Sequence, residues 1–77
     1  MESYINGVMN IKRGDEFVDV NIDGIVNYSL NGAKLNINLV SAVGAYDSND
    51  ENVDLSLEEV VQATAILTNN FYLEEMN

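Results

Sequence analysis

The chain has 77 residues, a net charge of −10 at neutral pH, and neither cysteine nor histidine. Such a length allows one domain with one modest core, since it buries only about 60% of the surface exposed on unfolding. The missing cysteines exclude disulfides and thiol chemistry, and the missing histidines remove the commonest general base and transition-metal ligand. With 47% hydrophobic residues the chain is too apolar for charge-driven disorder, so the charge is expected on a folded surface.

The N-terminal residues and the hydropathy pattern indicate a soluble, cytoplasmic protein. The first residues are acidic, and no apolar run of signal-peptide length follows them. No window approaches the roughly 20 apolar residues that span a bilayer. The negative charge also disfavours direct binding to nucleic acid or to anionic membranes, because like charges repel.

The charge is distributed unevenly along the chain. Residues 1–34 carry five acidic and three basic side chains, whereas residues 35–77 carry eight acidic side chains and no basic one. Twelve asparagines accompany only two lysines, although both residues use AT-rich codons that a coding bias would raise together. The shortage of lysine therefore indicates selection against positive charge.

Period-two alternation over the first 46 residues predicts strands at residues 3–12, 16–22, 25–30 and 34–40. Their predicted inward side chains are Ile5, Met9, Ile11, Val18, Val20, Ile22, Val26, Tyr28, Leu30, Leu35, Ile37 and Leu39. The strands are joined at three turn motifs, at residues 12–15, at Asp23-Gly24 and at Asn31-Gly32. Residues 41–46 are a candidate extension of the fourth strand.

After residue 55 the apolar period changes to that of a helix. Ser56 and Glu59 form a capping box, in which each side chain accepts a backbone N–H of the other residue. The predicted apolar stripe comprises Leu57, Val60, Val61, Thr64, Leu67 and Phe71. The helix ends either at Asn69-Asn70 or near Leu73. We predict one α+β domain, ββββα, with a four-stranded antiparallel β-meander at 1–46, an acidic loop at 47–55 and a helix at 56–73.

The face of the sheet opposite the helix is predicted to carry exposed apolar side chains. They are Tyr4, Val8, Phe17, Ile25 and Val40. If they form one patch, they are a candidate interface for self-association as a homodimer. Scattered singly, they are ordinary surface residues.

Six carboxylates within thirteen residues, 47–59, form the most acidic window, which we call the acidic segment: Asp47, Asp50, Glu51, Asp54, Glu58 and Glu59. A calcium loop of EF-hand type is disfavoured, since the required turn glycine is replaced by Asn52 and a strand precedes the loop. We therefore predict no metal site and no cofactor. The capping box explains the end of the segment, but turn and capping rules do not require so much charge between Asp47 and Asp54.

Two interpretations of the acidic segment remain. Its carboxylates can serve solubility and helix capping. Alternatively they imitate nucleic-acid phosphates and bind a basic surface of another protein, since arginine pairs with carboxylate as readily as with phosphate. In that case Tyr46 is a candidate aromatic anchor beside them.

An enzyme is the least favoured interpretation. The serines have no histidine to activate them, and no glycine-rich phosphate-binding motif is present. Carboxylates in a polar loop also lack the burial that shifts a pKa toward catalysis. We therefore expect a binding protein without catalytic residues.

In its size, single α+β domain, lack of cysteine and histidine, and acidic run from Asp47 to Glu59, the chain resembles the small acidic inhibitors of phages and other mobile elements. These include anti-CRISPR proteins and DNA-mimic anti-restriction proteins. The resemblance covers the composition of the whole chain and assigns no individual residue. It implies a non-enzymatic inhibitor that occupies the nucleic-acid-binding surface of a host defence nuclease.

Overall fold

The computed structural model of the protein describes residues 1–39 and 43–75. They form four strands and one helix: β1 Glu2–Arg13, β2 Glu16–Asn31, β3 Lys34–Leu39, β4 Gly44–Tyr46 and α1 Leu57–Glu75. All strand pairs are antiparallel, and α1 packs on one face of the sheet. The predicted fold class, a four-stranded antiparallel sheet with a C-terminal helix, is confirmed.

Two tight turns connect the first three strands. Gly14-Asp15 joins β1 to β2, and Gly32-Ala33 joins β2 to β3. The glycines have φ values of 62° and 65°, and a positive φ at the first turn residue alone is typical of a type II′ turn. The first predicted turn is confirmed. The turn between β2 and β3 lies one residue further along the chain than the predicted turn at Asn31-Gly32.

The predicted turn at Asp23-Gly24 is wrong, because β2 runs unbroken through both residues. In a two-residue hairpin, Ile22 and Ile25 would lie opposite each other and share one face of the sheet. Val26 would then lie on the face opposite to Ile22. Ile22 and Val26 are instead buried on the same face, so a single alternation continues through Asp23 and Gly24. Leu30 was also predicted to point inward, but it is 64% exposed because it lies near the end of β2, beyond the core.

Strands β3 and β4 lie one after the other along the same edge of β2. β3 ends opposite Val26, and β4 begins opposite Asp23. Residues 40–43 separate β3 from β4, whereas only Gly24 and Ile25 separate their partners on β2. β3 corresponds to the predicted fourth strand and β4 to the end of its predicted extension, and residues 40–42 lie outside the described residues.

The hydrophobic core lies between α1 and the inner face of the sheet. Its buried side chains are Ile5, Met9, Ile11, Val20, Ile22, Val26, Ala45, Ala63, Leu67 and Phe71. The Phe71 ring packs against that of Tyr28, with 4.8 Å between the ring centroids. Full burial of a side chain of this kind contributes about 1.5–3 kcal/mol, so this cluster positions α1 on the sheet.

The buried stripe of α1 differs from the predicted one. Leu67 and Phe71 are buried as predicted, but Leu57 is 81% exposed and Val61 is 63% exposed. At 100° per residue these two lie about 80° to 120° around the helix from Leu67, beyond the edge of the core. The helix does not end at Asn69-Asn70; it continues to Glu75, two residues beyond the later predicted end. No helix in the described ranges is both long and apolar enough to span a membrane.

Gly7 lets α1 approach β1 closely. A Cβ atom at this position would lie 2.7 Å from Asn70 Nδ2 and 3.2 Å from Ile66 Cγ2. Asn70 also donates a hydrogen bond to the carbonyl oxygen of Asn6, at 3.0 Å. The glycine that weakens β1 as a strand therefore makes room for the helix.

Candidate functional site

The acidic segment begins with a tight turn that Asp47 organises. Its Oδ1 accepts hydrogen bonds from the backbone N–H groups of Asn49, at 2.8 Å, and of Glu51, at 3.0 Å. This is an Asx turn, in which the side chain replaces a backbone acceptor. Asp47 therefore has a structural role that the sequence alone did not indicate.

Backbone contacts on either side close this turn into a small hairpin. The Val53 N–H donates to the Ala45 carbonyl oxygen at 2.9 Å, and Tyr46 forms a β-bridge with Asn52. Asp50 adopts a φ of 63°, a left-handed conformation that aspartate, asparagine and glycine tolerate best. The turn leaves the side chains of Asp50 and Glu51 exposed.

The C-terminal part of the acidic segment, where α1 begins, is stabilised by the predicted capping box. Glu59 N–H donates to Ser56 Oγ at 3.2 Å, and Ser56 N–H donates to Glu59 Oε1 at 2.8 Å. Arg13 joins them from the end of β1, with hydrogen bonds of 2.7 Å and 2.9 Å to the two carboxylate oxygens of Glu59. Arg13 also donates to the carbonyl oxygen of Asp54 at 2.6 Å.

These contacts change the titration of Glu59. The hydrogen bonds from Arg13 and then from the Ser56 N–H lower the pKa of Glu59 to about 2. Its side chain is 16% exposed. Glu59 therefore acts mainly as a link between the helix start and the β1–β2 turn, and it is less available to a partner than predicted.

The six predicted carboxylates thus fall into two groups. Asp47 and Glu59 are engaged in the fold. The other four have exposed side chains: Asp50, Glu51, Asp54 and Glu58. Among the described residues, no three acidic side chains are placed to share a metal ion.

The outer face of the sheet lies opposite α1. Tyr4, Val8 and Phe17 are 63%, 57% and 71% exposed, and Ile25 is half-buried beside Tyr4. Their predicted orientation away from the core is confirmed. Val40 lies outside the described residues.

The strand register places two rows of residues side by side on this face. One row is Asn6, Asp23 and Gly44; the next is Val8, Asn21 and Tyr46. All members of the two rows except Gly44 line an open depression of about 610 Å3, together with Tyr4 from β1 and Asp50 from the acidic segment. We call this the outer-face depression.

Tyr4 and Asp23 make a direct hydrogen bond at the outer-face depression. The Tyr4 hydroxyl donates to Asp23 Oδ2 at 2.7 Å. This bond, followed by partial desolvation and by the negative charge of Asp23, raises the pKa of Tyr4. The hydroxyl therefore stays protonated and keeps the carboxylate oriented.

The structure brings together residues that the sequence assigned to separate surfaces. Tyr46 and Asp50, predicted to bind a partner, line the same depression as Tyr4 and Val8, predicted to mediate self-association. Phe17 lies apart, near the β1–β2 turn, where it pairs with Lys12.

Sequence reasoning missed Arg13, Asp23 and Gly44 at these sites. Asp23 was assigned to a turn, and its unbroken position in the β2 alternation was the signal that places it on the outer face. No local pattern connects Arg13 to Glu59 or Gly44 to Asp23, because both relations join residues that are far apart in the sequence. Searches against protein-family models, curated proteins and solved structures return no significant match.

Proposed function

We propose that this protein is a non-enzymatic inhibitor that binds a basic, nucleic-acid-binding surface of another protein. The observation that carries the proposal is the exposure of four acidic side chains within one short segment: Asp50, Glu51, Asp54 and Glu58. Within the described residues, Arg13 forms an ion pair with Glu59 at 2.7 Å, and this pair engages none of these four side chains. Their carboxylates are therefore accessible to a partner.

The overall charge supports the same proposal. The chain has thirteen acidic side chains and only three basic ones, and one of the basic side chains, Arg13, is already paired with Glu59. Such an imbalance accelerates association with a positively charged surface and discriminates against acidic partners. A nuclease groove lined with arginine and lysine has the complementary charge, and a host defence nuclease in the cytoplasm is the partner class that we propose.

Charge reversal tests the proposal. A triple variant, D50K/E51K/E58K, is compared with a control triple, E2K/D15K/E74K, which makes the same charge change at exposed acids outside the acidic segment. Each protein is used to capture partners from a host lysate, and the captured protein is identified, purified and titrated directly. We expect the first triple to weaken binding at least about tenfold more than the control, because its charges would lie in the contact.

Competition provides a second readout on the same complex. We expect duplex DNA or RNA to displace the wild-type protein, and added salt to weaken binding steeply. Equal effects of both triples, or a complex that tolerates nucleic acid and salt, would contradict the proposal.

Self-association through the outer face is a second candidate function, favoured by the exposure of Tyr4, Val8 and Phe17. Sedimentation equilibrium over a range of concentrations distinguishes it from the first. A dimer that Phe17→Asp disrupts would support an assembly role. A monomer at all concentrations removes this candidate.

A further inference from the structure

The outer-face depression combines aromatic and anionic groups. Tyr4 stands on one side, Tyr46 on another, and Asp23 and Asp50 contribute carboxylates. No basic side chain is among the residues that line it. A group that fits this lining must carry positive charge and tolerate contact with aromatic rings.

Asp23 is held in position from two directions. The Tyr4 hydroxyl binds its Oδ2, and its Oδ1 lies against Gly44, where a Cβ atom would collide with it. The same Cβ would lie 3.1 Å from the ring and the hydroxyl of Tyr46. The missing Cβ of Gly44 therefore leaves room for the side chains of both Asp23 and Tyr46.

We propose that the outer-face depression binds the guanidinium group of an arginine side chain, presented by the basic partner. The inference rests on the proposed function and extends it from the acidic segment to the sheet. A planar guanidinium can stack on a tyrosine ring while its N–H groups reach a carboxylate. The hydrogen bond from Tyr4 goes to Asp23 Oδ2, so it leaves Oδ1 as a possible acceptor, and Asn6 and Asn21 contribute further polar groups to the lining.

Other ligand classes fit the depression less well. Phosphate and other anions meet two aspartates and no cation. The volume of about 610 Å3 lies within the range of small-ligand sites, but a purely apolar ligand would bury the carboxylate of Asp23 at a cost in free energy. Lysine has the right charge, but its compact ammonium is not planar, so it cannot stack on a tyrosine ring and donate in-plane hydrogen bonds to a carboxylate as a guanidinium does.

A small probe tests the site without knowledge of the partner. The full 15N-labelled chain is titrated with N-acetyl-L-arginine amide and observed by NMR, with N-acetyl-L-lysine amide and N-acetylglycine amide as comparisons. We expect saturable shifts of the backbone amides at the depression, centred on Asn6, Asn21 and Tyr46, for the arginine probe. The lysine probe should bind more weakly, and the glycine probe should not bind.

Two variants separate specific binding from general attraction to negative charge. Asp23→Asn should weaken the arginine probe roughly tenfold, because it removes a charge-assisted hydrogen bond. Its matched control is Asp19→Asn, which makes the same charge change on the same strand and face outside the depression. Gly44→Ala changes no charge, and it should weaken binding by displacing Asp23 and Tyr46. If Gly44→Ala fails to fold, the comparison of Asp23→Asn with Asp19→Asn still tests the arginine site.

The outcomes also separate this inference from the proposed function. Shifts spread over all acidic residues without saturation, or equal losses in the two aspartate variants, would overturn the arginine site. Loss of partner binding in D50K/E51K/E58K alongside absent probe binding would leave the proposed function standing without this site. Saturable probe binding without any captured partner would support the site and count against the inhibitor.

Discussion

The two faces of the sheet are built by alternate residues of the same strands, yet they have opposite properties. On β2 the inner side chains Val20, Ile22 and Val26 are at most 1% exposed, whereas Phe17 on the outer face is 71% exposed. The inner face meets α1 and forms the core. The outer face carries an oriented carboxylate and an open depression. Stability and the proposed binding therefore depend on adjacent positions of the same strands, and substitutions can address one without the other.

The largest difference in free energy of unfolding between two variants should come from neighbouring residues of α1. Phe71 is completely buried, whereas Tyr72 is 45% exposed. We expect Phe71→Ala to lower the free energy of unfolding by about 3–5 kcal/mol, which is a large part of the total for a small domain. Tyr72→Ala, the control, should cost much less. Urea denaturation followed by circular dichroism measures both, and equal losses would show that the helix is not packed as described.

A smaller effect is expected where α1 meets β1. Gly7→Ala places a Cβ against the Asn70 side chain and should cost about 1–3 kcal/mol, as overpacking does. Asn70→Ala removes the crowding atom but also its bond to Asn6. In a double-mutant cycle, Gly7→Ala should therefore cost less in the Asn70→Ala background. Additive losses would mean that the two positions do not compete for space.

The Arg13–Glu59 pair, which lies at the edge between core and surface, should make a pH-dependent contribution to the free energy of unfolding. Since the pKa of Glu59 is lowered to about 2 from an ordinary 4.5, the folded protein binds this proton less readily than the unfolded chain. The stabilisation is therefore present above pH 4.5 and is lost as the pH falls toward 2. Arg13→Ala should narrow the stability difference between these pH values relative to wild type. An unchanged acid profile would contradict the link.

The smallest effect on stability is expected on the outer face. Phe17→Ser should change the free energy of unfolding by less than about 0.5 kcal/mol, as exposed positions usually do. Thermal unfolding measures it against wild type. A loss as large as that of a core substitution would show that a second copy of the chain buries this side chain.

Sequence predicted the parts of the fold that depend on local pattern. The alternation of β1, the Gly14 turn and the capping box of Ser56 and Glu59 were all recognised correctly. The error at Asp23-Gly24 arose because a favourable turn dipeptide was preferred over an alternation that continued through it. Ile22 and Val26 have the same parity, and a two-residue turn between them would have separated them. Long-range burial on one face overrides local turn propensity here.

The candidate site was predictable only in part. Exposure of Asp50 and Glu51 follows from a polar turn, and the composition identified it. The structural role of Asp47 depends on the turn geometry, and the contact of Arg13 with Glu59 joins residues 46 positions apart. The outer-face depression depends on the register that brings Gly44 beside Asp23. Such relations have no period or spacing in the sequence.

The β1–β2 pairing has a consequence for the order of folding. Its ladder starts at the Gly14-Asp15 turn, and each further pair lengthens the closed loop only slightly. Docking of α1 must instead close a much longer loop, which costs more chain entropy before any contact forms. We therefore expect the hairpin to form in the folding transition state, with Ile11→Val slowing folding and Leu67→Ala mainly speeding unfolding. Stopped-flow kinetics would show the reverse pattern if the helix docked first.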